Sequence, residues 1–267
     1  MKRTLLLFIV SGFSLLSTNL YSQKFSYGIK GGLSLSQFSG GSSEHPLLNS
    51  TNSRLGGEYG VYGEYHITPV FSFSLGLEYS AQGGINKFQS YPMPLWVGTV
   101  YDPHVYSNFT CDTKLNYVVI PFLARKSWKV NNKLDIYAGA GPFVVVLLNS
   151  VCKVSNTGDF YLDKDKTVKY TASSSNDLIL SNPDFQALLN KINLGVSGIF
   201  GLSYKISKKE ALFIEVGTNY GLTSIQNNHV NGSSKTFNQV IAVGYSFTFK
   251  DIYKNRFHRK IKNDVYK

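Results

Sequence analysis

Cysteine is nearly missing: the chain has two in 267 residues, Cys111 and Cys152. No CxxC or HExxH spacing is present, so the five histidines and two thiols give no metal-ligand pattern. GxSxG is absent too, which removes the local signature of a nucleophile elbow. The glycines of YAGAGPF (residues 137–143) lie within a strand pattern and not at a strand-to-helix turn, so they make no phosphate cradle. No cofactor is expected. Acidic residues are scarce, 16 against 27 Lys and Arg, for a formal net charge of +11. Seven of those basic residues fall in KDIYKNRFHRKIKNDVYK (Lys250–Lys267), so the positive balance is partly a property of the tail. It does not imply a nucleic-acid groove. Long apolar runs are also missing. After residue 23 none approaches the roughly 18 residues a membrane helix needs. Any membrane crossing must be made by strands.

The first residues, MKRTLLLFIVSGFSLLSTNLYSQ, have a basic start at Lys2 and Arg3 and a short apolar stretch from Leu5 to Leu16. Ser22 then offers a small residue at a cleavage point before Gln23. This is the pattern of a secretory signal peptide over residues 1–22. With no cysteine after the cut, a lipid-anchored form is not expected.

What the chain does have is aromatics (18 Tyr, 18 Phe), 24 Gly and alternation. In VFSFSLGLEYS (Val70–Ser80), Phe71, Phe73, Leu75, Leu77 and Tyr79 fall on one side, and Ser72, Ser74, Gly76, Glu78 and Ser80 on the other. Period 2 predicts a strand with one apolar and one polar face. Eight such segments can be read: residues 25–37, 57–67, 70–82, 114–126, 133–148, 193–206, 210–222 and 236–249. Each is long enough to cross a bilayer at a tilt. The fourth and fifth (NYVVIPFLAR, IYAGAGPFVVVLL) are apolar on both sides, which leaves their orientation open.

The connections alternate between short (68–69, 127–132, 207–209) and long (38–56, 83–113, 149–192, 223–235). That alternation is the mark of an outer-membrane barrel, whereas a soluble sandwich has no need of it. The expected fold is all-β: an eight-stranded antiparallel up-and-down transmembrane barrel over residues 23–249. Its apolar face would meet lipid, its short turns would be periplasmic and its long loops extracellular. Both termini would then be periplasmic.

On FSYGIKGGLSLS (25–36), GVYGEYHITPVFSFSLGLEYSAQGG (60–84), KLNYVVIPFLARK (114–126), YAGAGPFVVVLL (137–148), FIEVGTNYGLTSI (213–225) and NQVIAVGYSFTF (238–249), the chain resembles the porin-like outer-membrane barrels of Bacteroidota, which include PorT-like proteins. The resemblance implies the outer membrane as compartment. It permits a role in protein secretion without singling one out. Two departures stand out: Val119 occupies a position that is often acidic in the family, and 18 residues follow Phe249.

The polar face collects Lys30, Glu64, His66, Glu78, Lys205 and Glu215. Buried charges must pair, so these residues are expected to form a lattice that plugs a lumen just wide enough for side chains. The competing reading is a narrow pore. The turn between the fourth and fifth strands centres between Asn131 and Asn132, which sets Cys111 opposite Cys152 in an unbulged hairpin. Export permits oxidation, and a disulfide is expected there. His45, His104 and His229, with Asp102 and Ser107, lie in loops where a rim-located lipid-modifying hydrolase would carry its groups. PDFQALLNK (183–191) has helical spacing.

The leading functional expectation is a non-catalytic, monomeric outer-membrane component. It would touch outer-membrane lipid and engage envelope proteins through loops 83–113 and 149–192 or the basic tail 250–267. The alternatives are a small-solute porin and, third, the rim hydrolase.

Overall fold

A computed structural model describes residues 24–40, 52–97, 100–156, 159–170, 178–180, 186–227 and 233–249. The long strands are β1 (Lys24–Gly40), β2 (Asn52–His66), β3 (Phe71–Val97), β4 (Val100–Lys129) and β5 (Leu134–Asn156). Three short pieces follow, β6 (Phe160–Tyr161), β7 (Lys169–Tyr170) and β8 (Leu178–Leu180), then β9 (Ile192–Lys205), β10 (Glu210–Gly221) and β11 (Ser234–Phe249). The eight long strands pair antiparallel with their sequence neighbours. β1 pairs with β11 from Phe25↔Phe249 to Gly40↔Ser234, which closes the ring.

Period 2 sorts the two faces as the sequence predicts. Ile29, Leu33, Val61, Leu75, Leu77, Val216 and Val243 are exposed, while Ser26, Ser34, Ser72, Ser74, Ser80, Glu78 and Glu215 are buried. A closed ring with its apolar side outward is what lipid requires, because no backbone edge is left unpaired. Towards the short-turn end the outer face carries aromatics. Tyr27 lies 5.6 Å from Phe247 and 5.3 Å from Phe249, and Phe73 stacks on Phe122 at 5.5 Å. Such girdles sit at the membrane–water boundary.

The structure resolves the two-faced strands: on β4, Leu115, Tyr117, Val119, Leu123 and Arg125 point inward, and on β5, Tyr137, Phe143, Val145 and Leu147 do so. Four inward aromatics lie directly across from glycines, in the pairs Gly28↔Tyr62, Tyr137↔Gly201, Phe143↔Gly195 and Phe213↔Gly244. A Cβ at Gly195 or Gly244 would meet the facing Phe ring at 2.2 Å. The glycines therefore give each ring a bed against the opposite backbone, and this fills the lumen.

Two expectations need correcting. The segment 83–113 is not a loop: β3 and β4 run on as a ribbon of 27 and 30 residues, about three times what a bilayer crossing uses. Of the helix expected over 183–191, the described part holds one turn at Gln186–Leu188. Leu189 there bridges to Gln226 and is buried.

Candidate functional site

The lumen is layered. At the short-turn end a vestibule of about 150 Å³ is lined by Ser26, Tyr62, Glu64, His66, Arg125, Tyr137 and Lys205, among others. Its floor is an ion pair, Arg125 Nη1 to Glu64 Oε2 at 2.9 Å, and Ser72 Oγ donates to Glu64 Oε1 at 2.5 Å. The Arg125 guanidinium lies over the Tyr137 ring at 4.1 Å, so its flat face is covered as well as its edge.

Tyr137 links this layer to the next, donating from its hydroxyl to Glu215 Oε2 at 3.1 Å. Lys30 Nζ then bridges Glu215 Oε1 (3.1 Å) and Glu78 Oε1 (2.9 Å). Glu58 joins the group, accepting from Ser80 Oγ at 2.8 Å and from Asn238 Nδ2 at 3.1 Å. The gap enclosed by Lys30, Glu58, Glu78, Val119, Glu215 and Asn219 is about 10 Å³, room for one water.

Beyond it, towards the long-loop end, the packing turns apolar. Leu115, Tyr117, Val119, Phe143, Val145 and Leu147 are all at most 5% exposed, and the cluster continues outward to Phe109, Phe160, Leu189 and Ile225.

Of the six residues expected in the lumen, the structure brings Lys30, Glu78 and Glu215 into one network and puts Glu64 in the layer below. His66 and Lys205 line the vestibule near the mouth: His66 Nε2 is 2.9 Å from Ser26 Oγ and its Nδ1 4.0 Å from Glu64 Oε1, and Lys205 pairs with Asp135 Oδ2 at 2.5 Å. Sequence reasoning missed Glu58, Arg125 and Tyr137. Glu58 falls on the polar parity of β2 and was readable. Arg125 and Tyr137 lie on the strands whose faces alternation does not distinguish.

The cysteines also differ from expectation. The β4–β5 turn centres half a residue later than the asparagine pair suggests, and a bulge between Asn116 and Tyr117 shifts the register again. Cys111 therefore faces Val154, and Cys152 faces Thr113. Both are free thiols, buried in the apolar cluster and diagonal to one another. Cys111 Sγ lies 3.5 Å from Thr113 Oγ1, and the nearness of the two thiols pushes Cys111 up and draws Cys152 down, with burial adding to the rise at Cys111.

For the hydrolase reading, His45 and His229 lie outside the described residues, as does the His104 side chain. Ser107 Oγ donates to the Asp159 carbonyl, a structural bond. The described residues hold no cluster of three or more His, Cys, Asp or Glu suited to a metal.

Residues 21–227, well over half of the chain, match the outer membrane protein beta-barrel domain family. The chain belongs to that family. Among solved structures it is similar to Neisserial surface protein A (12% identity over 84% of this chain and 97% of that one, TM-score 0.41). It is also similar to Ail, the attachment invasion locus protein of Yersinia pestis (10%, 86% and 100%, 0.38), and to OprG of Pseudomonas aeruginosa (11%, 85% and 96%, 0.42). No curated protein matches the sequence. Family membership makes the chain an outer-membrane barrel protein, with its outward apolar belt in lipid.

Proposed function

We propose that this barrel is a non-catalytic, non-conducting, monomeric component of the outer membrane, and that its work is done outside the lumen. The observation that carries this reading is the filled interior. An arginine–carboxylate floor, a lysine–carboxylate layer with space for one water and an apolar layer succeed one another along the axis. A small-solute porin needs a continuous water path through all three.

The surface left to act is at the ends. The β3–β4 ribbon and the β5 extension rise from the long-loop end and present the strands that engage other envelope proteins. A secretion assembly is one such setting. The basic tail, residues 250–267, lies outside the described residues and is a second candidate contact. In this arrangement both termini are periplasmic.

The test is an affinity pull-down of the tagged chain from detergent-solubilised outer membrane, with planar-bilayer recording of the same purified barrel. A partner recovered near one-to-one, lost when the ribbon or tail is removed, supports the reading. A barrel recovered alone that conducts steadily, with conductance altered by Glu78→Gln or Glu215→Gln, overturns it in favour of the porin.

A further inference from the structure

The outer wall has a hollow at the β1–β11–β10 seam. About 500 Å³ of space is lined by Ile29, Gly31, Leu212, Val243 and Tyr245, and its surface is almost wholly apolar. Gly31 faces outward and opposes Val243 and Tyr59. A Cβ added there would meet only Tyr59 Cβ, at 3.9 Å, so nothing in the chain's own packing requires the hollow.

Directly below it on the same wall lies a cationic edge. Lys208 and Lys209 form the exposed β9–β10 turn on the rim between this wall and the vestibule mouth, and Lys209 Nζ reaches over the outer side, 5.9 Å from the centre of the Phe247 ring. Glu210, the acid beside them, is occupied by Ser207 Oγ at 3.0 Å and by Tyr245. Its register partner is Phe247, and that of Leu212 is Tyr245, so the lysines and the hollow share one column of the sheet. Lys209 and Leu212 are three residues apart, roughly 10 Å at strand rise.

We infer that this column is a binding site for one anionic phospholipid, its phosphate on Lys208 and Lys209 and one acyl chain in the Gly31 hollow. The apolar hollow recognises a chain but no headgroup. The lysines recognise negative charge, which zwitterionic lipids do not present in excess. The spacing between them matches the step from headgroup to hydrocarbon across an aromatic girdle. A free phosphate would use the lysines alone, and a soluble protein partner could not reach a hollow that faces hydrocarbon.

The test is native mass spectrometry of the folded full chain in detergent, with phosphatidylglycerol, phosphatidylcholine of the same acyl chains, and glycerol phosphate. We expect phosphatidylglycerol to be retained roughly five- to thirty-fold over phosphatidylcholine, the range two lysines near a headgroup give. Lys208→Gln/Lys209→Gln should abolish the preference and leave a weak, headgroup-blind retention. Gly31→Leu, which fills the hollow without touching the lysines, should lower retention of both lipids in a barrel that still migrates as folded on unheated gels. Equal retention of the two lipids, a preference that survives the lysine double variant, or retention unchanged by Gly31→Leu would each overturn the assignment. Competition by glycerol phosphate as strong as by the intact lipid would overturn it as a lipid site.

Discussion

At the scale of the residue, the lumen rests on a few buried charges, and among the described residues Arg125 has one carboxylate to balance it. Arg125 is 7% exposed and its carboxylate partner is Glu64. Arg125→Met leaves Glu64 charged and uncompensated, and we expect a loss of about 3–5 kcal/mol by denaturant unfolding. Adding Glu64→Gln should recover most of that loss. A double variant as unstable as the single would show that packing on Tyr137, and not charge, is what Arg125 supplies. The glycine beds give a second expectation: Gly195→Val should cost about 1–3 kcal/mol, because Phe143 must leave its rotamer or the strands must part. None of this was visible in the sequence beyond parity. Alternation told which of Lys30, Glu78 and Glu215 face inward, but the pairing of each glycine with an aromatic needs the register, which no single strand contains.

At the scale of the element, each strand's outward face is fixed by lipid. Leu77 is exposed near the middle of its crossing and lies across from Val61. Leu77→Lys should therefore destabilise the barrel by about 2–4 kcal/mol when unfolded from vesicles. A soluble sandwich would gain from the same change. The eight crossings were legible because lipid on one side and water or polar groups on the other enforce period 2. The ribbon was not: beyond Gln82 and before Lys114 both faces leave the bilayer, the alternation ends, and Pro92 and Pro94 read as loop. Joining Lys87 to Thr110, which are register partners, through an Asn-Gly turn removes the ribbon without changing the pairing below. We expect that truncated barrel to remain heat-modifiable on gels and to lose the partner recovered with the full chain.

At the scale of the whole molecule, the layers inside set what can cross. The prediction is an absence of steady single-channel steps from the intact barrel, measured in planar bilayers across neutral pH. The fold was readable from composition, alternation and the rhythm of connections, and the family from the resemblance that the strand segments carry. The sealing was not, because Arg125 and Tyr137 lie on the two strands that alternation leaves unoriented.

The seam between β1 and β11 joins the first described strand to the last along sixteen residue pairs. Until that final strand arrives, every partly built sheet has two raw borders, and hydrocarbon offers them nothing to bond with. The polypeptide therefore cannot enter the bilayer strand by strand with those borders bare. Something else must cap both borders until β11 meets β1 and takes the place of the cap.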